Sequence, residues 1–125
     1  MAKKILIIED EAALQKTLAA ALKSAGYGVL QALDGEIGLR LARSEKPDLI
    51  LLDLIMPIKN GFEVLAELKA DPEMKDFPVI VLTNLESIED VDKALTVGVD
   101  TYLVKANYTL DEILAKVRQT LKEEQ

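Results

Sequence analysis

Five residues that could bind a metal ion or a phosphoryl group follow directly after short apolar runs. They are Glu9, Asp10, Asp53, Thr83 and Lys105. Clustered carboxylates repel one another, and a hard divalent cation such as Mg²⁺, which prefers oxygen ligands, removes that repulsion. Asp10 and Asp53 could bind the cation directly, together with a backbone carbonyl from the loop after Asp53, and Glu9 could bind it through water.

The same five residues suit phosphoryl transfer onto a carboxylate. A bound cation would neutralise the oxygens of an incoming phosphoryl group. Asp53 would be the nucleophile, since aspartyl phosphates are established covalent intermediates. Thr83 would donate a hydrogen bond to the phosphate, and Lys105 would supply a mobile positive charge.

These side chains can meet only if the apolar runs are parallel strands whose carboxyl ends share one edge of a sheet, where open α/β sheets bind ligands. The runs lack polar alternation, which is typical of strands buried on both faces. They lie at 5–8, 49–52, 79–82 and 101–104, with a weaker strand at 28–32. Helix-spaced apolar residues follow each run. The pattern predicts an α/β fold: a doubly wound, five-stranded parallel sheet with five helices, in one domain spanning 1–125.

Capping residues predict the helix ends. Gly26 ends the first helix, Asp34 and Ser87 begin the second and fourth, and Thr109 with Glu112 forms a capping box at the fifth. The apolar stripes predicted for the second, third and fourth helices are Ile37, Leu41 and Ala42; Phe62, Leu65 and Leu68; and Ile88, Val91 and Leu95.

Composition excludes several functional classes. The net charge of −7 argues against a broad electrostatic grip on nucleic acid or anionic lipid. The chain has no cysteine and no histidine, which excludes disulfides, His-dependent triads and the usual zinc sites, and also a histidine phosphodonor within this chain. No apolar run approaches the length of a membrane span, and residues 1–8 are too short for a signal peptide. We therefore expect a cytoplasmic protein.

Four sequence blocks, in order and at these spacings, resemble the receiver domains of two-component response regulators. They read IEDE at 8–11, DLIMP at 53–57 with a glycine at 61, VLT at 81–83 and GVDTYLVK at 98–105. The resemblance extends over essentially the whole chain. It implies the strand order 2-1-3-4-5.

The resemblance also implies a role for each matching position. The phosphoacceptor would be Asp53. The metal, Mg²⁺ or Mn²⁺, would be held by Asp10, Asp53, the backbone carbonyl of Ile55 and, through water, Glu9. The phosphoryl group would be held by Thr83, Lys105 and the backbone of Asn84. The conformational switch would consist of Thr83 and Tyr102.

The leading hypothesis is a stand-alone phosphoacceptor, with no output domain, that receives its phosphoryl group from a sensor histidine kinase, a histidine phosphotransfer protein or a small phosphodonor. It would signal to a downstream protein through the surface of the last two helices and the fifth strand, without binding nucleic acid or membrane directly. It would be a monomer or a phosphorylation-dependent homodimer, and not a turnover enzyme.

Three positions depart from the family pattern. Ala106 stands where the family commonly has a cis proline, and a cis bond before alanine would cost about 2.5–4 kcal/mol, so we expect a trans peptide. Asn84 replaces a smaller residue and narrows access for phosphodonors. Ile55 and Leu85 are apolar where polar residues can assist an attacking water, which predicts slow self-dephosphorylation.

Three alternatives remain open. A non-phosphorylated scaffold or interaction module would keep the fold but not need Asp10, Asp53, Thr83 and Lys105. A phosphatase that forms an aspartyl phosphate usually needs a second acid two residues after the nucleophile, and that position holds Ile55. A nucleotide- or flavin-binding domain is disfavoured because no glycine-rich loop follows the first strand.

Overall fold

The computed structural model describes residues 2–123 and contains the five predicted strands and five predicted helices. The strands are β1 (Lys4–Ile8), β2 (Gly28–Ala32), β3 (Leu49–Leu52), β4 (Val79–Thr83) and β5 (Thr101–Val104). The helices are α1 (Ala12–Ser24), α2 (Gly35–Glu45), α3 (Gly61–Ala70), α4 (Ile88–Val97) and α5 (Leu110–Thr120). A short 3₁₀ helix at Lys105–Asn107, which was not predicted, links β5 to α5.

The strands form one parallel sheet in the order β2-β1-β3-β4-β5, which confirms both the predicted fold class and the implied strand order. β3 lies at the centre, and all four of its residues are buried. Ile8 at the end of β1 is in register with Leu52 at the end of β3. The residues that follow these two strands therefore begin side by side.

The sheet separates two hydrophobic cores because successive side chains of a strand point to opposite faces. Ile50 and Leu52 of β3 belong to the core beneath α2, α3 and α4. Leu49 and Leu51 belong to the core beneath α1 and α5. This double covering explains why the strands read as continuous apolar runs.

The predicted helix ends are confirmed. Asp34 accepts a hydrogen bond from the backbone N–H of Ile37 (2.9 Å), and Ser87 accepts one from Asp90 (3.2 Å). Thr109 and Glu112 form the predicted capping box. Gly26, just past the end of α1, takes the left-handed conformation (φ 97°) that favours glycine.

The predicted inward face of α4 is wrong. Ile88 is 78% exposed and Leu95 is 48% exposed, while the residue that α4 buries is Ala94. Two other stripes need smaller corrections. Leu39 is buried in α2 whereas Ile37 is exposed, and Val64 is buried in α3 whereas Phe62 is half-buried.

Two further features bear on the site and on the class of protein. The peptide bonds within the described residues are all trans, as predicted for the bond before Ala106. Across residues 2–123, no helix combines the length and the apolar character that crossing a bilayer requires.

Candidate functional site

The ends of β1 and β3 place two buried carboxylates beside each other. The backbone N–H of Asp53 donates to the carbonyl of Ile8 (3.0 Å), and the backbone N–H of Glu9 donates to the carbonyl of Ala32 (3.0 Å). These bonds extend the parallel ladder one residue past each strand. Glu9 is 2% exposed and Asp53 is 5% exposed. The sheet itself therefore fixes both acids.

Asp10 completes a cluster of three carboxylates. One carboxylate oxygen from each of Glu9, Asp10 and Asp53 lies within 4.8 Å of the others. Asp10 is exposed, whereas the other two are buried. An all-oxygen set at this spacing matches what Mg²⁺ takes from proteins, namely one or two carboxylates with water in the remaining positions. The residues present thus fit a divalent cation.

Lys105 joins the two buried acids. Its Nζ lies 2.8 Å from Glu9 Oε1 and 3.2 Å from Asp53 Oδ2. The other Glu9 oxygen accepts the backbone N–H of Glu11 (3.0 Å), and Asp53 Oδ1 accepts the backbone N–H of Ile55 (3.2 Å). One ammonium group thus compensates part of the negative charge of the cluster.

The ionisation of Glu9 reflects this crowding. Burial raises the pKa of the Glu9 carboxyl to about 7, with a smaller contribution from the charge of Asp53, against the hydrogen bonds from Lys105 and the Glu11 backbone. Burial disfavours the charged form of Lys105, but the hydrogen bond to Glu9 and the charge of Asp53 outweigh it, so the pKa of Lys105 is raised. Negative charge is in excess at this edge of the sheet, as a cation site requires.

The loop after Asp53 is tightly constrained. A side chain on Gly61 would place a Cβ atom 2.4 Å from the Asp53 carbonyl oxygen, so only glycine lets α3 begin this close to the acid. Ile58 has a φ of 69°, and the backbone N–H of Lys59 bonds the carbonyl of Pro57 (2.7 Å) across it. This is a γ-turn centred on a β-branched residue in the left-handed region.

Thr83 at the end of β4 and Tyr102 on β5 are linked to each other through Leu85. Thr83 is fully buried, and its Oγ1 accepts the backbone N–H of Leu85 (3.5 Å). The Tyr102 hydroxyl donates to the carbonyl of Leu85 (2.8 Å). Burial, together with the charges of Asp90 and Asp53, raises the pKa of Tyr102, so its hydroxyl stays protonated. One residue of the β4–α4 loop thus contacts both predicted switch residues.

An open cleft of about 380 Å³ gives access to the cluster. Its lining residues are Glu9, Asp10, Glu11, Asp53, Ile55, Asn84 and Lys105. Six of the eight predicted site residues are therefore brought together at its surface. Thr83 and Tyr102 are not among the lining residues. The individual roles of all eight remain predictions.

Gln15 belongs to this edge of the sheet and was missed by the sequence reasoning. It is 3% exposed, and its Nε2 contacts the backbone carbonyls of Ile7, Glu9 and Ala32. One signal was available: Gln15 has the helical spacing of Leu18 and Leu22 and so shares the buried face of α1.

Comparison with curated proteins finds relatives that are longer than this chain. The DNA-binding dual master transcriptional regulator RpaA of Synechocystis is 42% identical over 119 residues, covering 95% of this chain and 49% of that protein. The regulatory protein PhoP of Bacillus subtilis is 38% identical over 122 residues, covering 98% of this chain and 50% of that protein. The chain spans about half the length of these relatives.

A solved receiver-domain structure shares the fold. A receiver domain of the Pseudomonas aeruginosa sensor histidine kinase PA1611 was solved with a magnesium ion coordinated in its active-site cleft. It is 28% identical, with a TM-score of 0.87 over 98% of this chain and 100% of that one. A profile of the response regulator receiver domain matches residues 5–118. With its 2-1-3-4-5 sheet and its three carboxylates at the carboxyl edge, this chain belongs to the response regulator receiver domain family.

Proposed function

We propose that Asp53 accepts a phosphoryl group, in a reaction that needs Mg²⁺ or Mn²⁺, from a phosphohistidine of a sensor kinase or phosphotransfer protein or from a small phosphodonor. The observation that carries the proposal is the carboxylate cluster itself. Asp53 reaches an open cleft with Glu9 and Asp10 beside it and with Lys105 bonded to it at 3.2 Å. Such a site holds both a nucleophile and the charges that phosphoryl transfer requires.

The cation would be held by the carboxylates of Asp10 and Asp53 and by the carbonyl of Ile55, with Glu9 acting through water. When bound, it would neutralise the phosphoryl oxygens and the excess charge of the cluster. The chain's own contribution is to hold Asp53 in place. The Ile55 N–H bonds one carboxylate oxygen, Lys105 bonds the other, and the contact between Gly61 and the Asp53 backbone fixes the loop.

In the transfer step, a bond forms between an Asp53 carboxylate oxygen and phosphorus while the bond between phosphorus and the donor nitrogen breaks. The donor imidazole leaves with that electron pair and takes up a proton. Lys105 would then exchange its contact with the Asp53 carboxylate for one with a phosphoryl oxygen, and the backbone of Asn84, a residue that lines the cleft, would donate to another.

The signal would leave the site through Thr83. Movement of Thr83 toward the phosphoryl group would disturb the contact of its Oγ1 with the Leu85 N–H, and the Leu85 carbonyl in turn holds the Tyr102 hydroxyl. The exposed Ile88 and Leu95 belong to α4, the helix that follows this loop. We propose the α4-β5-α5 surface as the docking site for a downstream protein or, after phosphorylation, for a second copy of this domain.

We further propose that the domain is not a turnover enzyme. Ile55, two residues after Asp53, is 51% exposed at the mouth of the cleft and offers no group to activate water. The acyl phosphate would therefore persist long enough to be read. Stand-alone action with a protein target, without direct contact to nucleic acid or membrane, stays a prediction.

Intact-mass spectrometry after incubation with acetyl phosphate tests the proposal. One phosphoryl adduct is expected with Mg²⁺ and none without it. The adduct should be lost in Asp53→Asn and retained in Asp92→Asn, which makes the same change at an exposed site on α4. A folded chain that takes up no phosphoryl group under any condition would favour the scaffold alternative.

A further inference from the structure

Gln15 is a buried amide whose hydrogen bonds all go to backbone at the end of the sheet. Its Nε2 lies 2.9 Å from the carbonyl oxygen of Ala32, 3.1 Å from that of Ile7 and 3.3 Å from that of Glu9. Carbonyl oxygens only accept hydrogen bonds, so the nitrogen of the amide must face them. Two N–H groups serve three acceptors, with one bond shared. The side chain therefore joins the ends of β1 and β2 to α1.

The bond to the Glu9 carbonyl is the one that concerns the site. The six atoms of a peptide unit lie in one plane, so fixing the Glu9 carbonyl also fixes the Cα of Asp10. Within residues 2–123, Gln15 is the donor that contacts this carbonyl. Asp10 is exposed, so its placement depends on its backbone. Gln15 therefore holds the peptide unit that leads into the Asp10 backbone.

Filling this space would not by itself call for an amide. The Oε1 of Gln15 is buried and has no hydrogen-bond partner among the described residues. An unsatisfied buried acceptor is unfavourable, and an apolar side chain of the same length would fill this space without it. What the amide adds over such a side chain is its two donors, and both of them are directed at the acidic loop and its neighbouring strand end.

We propose that Gln15 is a positioning residue for the divalent-cation site, acting through the Glu9–Asp10 peptide unit. This inference rests on the proposed function and goes beyond it by assigning cation affinity to a residue that does not touch the cation. Loss of a residue that orients metal ligands without touching the metal typically lowers metal affinity by about 10–100-fold. The rate at saturating cation depends on Asp53 and Lys105, which Gln15 does not contact.

Calorimetric titration with Mg²⁺ tests this on Gln15→Met, which keeps the side-chain length and removes the donors. We expect the Kd for Mg²⁺ to rise about 10-fold. Phosphorylation by acetyl phosphate should slow at low Mg²⁺ and recover at saturating Mg²⁺. Gln119→Met makes the same change at an exposed site on α5, and Val117→Ala destabilises the core beneath α1 and α5. Both controls should leave the Kd unchanged, which separates positioning from loss of stability.

A measurement on the unsubstituted chain keeps the proposal testable if Gln15→Met does not fold. The side-chain amide protons of Gln15 should exchange with solvent more slowly than those of exposed Gln31, and their resonances should shift as Mg²⁺ is added. Unprotected, unshifted Gln15 resonances would overturn the proposal, as would a folded Gln15→Met with unchanged Mg²⁺ affinity. If the unsubstituted chain bound no Mg²⁺, that result would contradict the proposed function itself, and with it the role proposed for Gln15.

Discussion

Replacing Ile58 with glycine should stabilise the domain, although it deletes a large side chain. Ile58 has a φ of 69° at the centre of the γ-turn after Asp53. A non-glycine residue held in such a region costs on the order of 1–3 kcal/mol, and Ile58→Gly removes that strain. The substitution should therefore gain free energy of folding at this position.

Two opposing contributions reduce the gain. Glycine is more flexible in the unfolded chain, which costs roughly 0.5–1 kcal/mol. The Ile58 side chain is 80% exposed, so only about 0.5 kcal/mol of hydrophobic burial is lost. With about 2 kcal/mol of strain, the middle of that range, the net expectation is an increase of about 0.5–1 kcal/mol in the free energy of unfolding.

Urea denaturation followed by circular dichroism measures this change. With a typical m-value, the midpoint should rise by about 0.4 M while m stays constant. Ile88→Gly is the matched control, since Ile88 is 78% exposed but lies in ordinary helical backbone. It should lose stability, because glycine is more flexible in the unfolded chain and relieves no backbone strain at this position. If Ile58→Gly lost stability as Ile88→Gly does, the strain assigned to the γ-turn would be refuted.

Three further predictions concern pH, cation binding and phosphoryl lifetime. Burial and the hydrogen bond to Glu123 raise the pKa of Tyr27 to about 12. The contribution of the Tyr27 hydroxyl to stability is therefore complete below pH 10 and is lost as the pH rises toward 12. Plots of unfolding free energy against pH for Tyr27→Phe and the unsubstituted chain should converge across that window, and parallel plots would contradict this. Mg²⁺ at 100 times its Kd should raise the free energy of unfolding by about 2.7 kcal/mol. If the same Mg²⁺ concentration stabilised an Asp10→Asn variant equally, the role of Asp10 as a metal ligand would be contradicted. Ile55→Asn with Leu85→Glu should shorten the phosphoryl half-life, and an unchanged half-life would count against slow hydrolysis caused by apolar neighbours.

Strand positions could be predicted from sequence because each strand is buried on both faces. A short, continuous apolar run such as 49–52, bounded by turn residues, is typical of that environment, and the acids that follow such strands then meet at one edge. The convergence of Glu9, Asp10, Asp53 and Lys105 was predictable on those grounds. Which acids Lys105 contacts was not, because strand order and register do not determine side-chain conformation.

The face of α4 could not be predicted from periodicity. Ile88, Val91 and Leu95 form a regular stripe, but the pattern does not distinguish a stripe that faces the core from one that faces solvent or a partner. The structure buries Ala94 instead. The γ-turn at Ile58 could not be predicted either, because β-branched residues are among the least expected at positive φ.

Chemical localisation of the phosphoryl group tests the central claim most directly. After incubation with acetyl phosphate, borohydride reduction converts an aspartyl phosphate to homoserine, and peptide mapping identifies the modified position. The site geometry predicts conversion at Asp53, dependent on Mg²⁺ and abolished when Mg²⁺ is chelated. Conversion at another carboxylate, or at Asp53 regardless of Mg²⁺, would contradict the assignment of this cluster as a cation-dependent phosphoacceptor site.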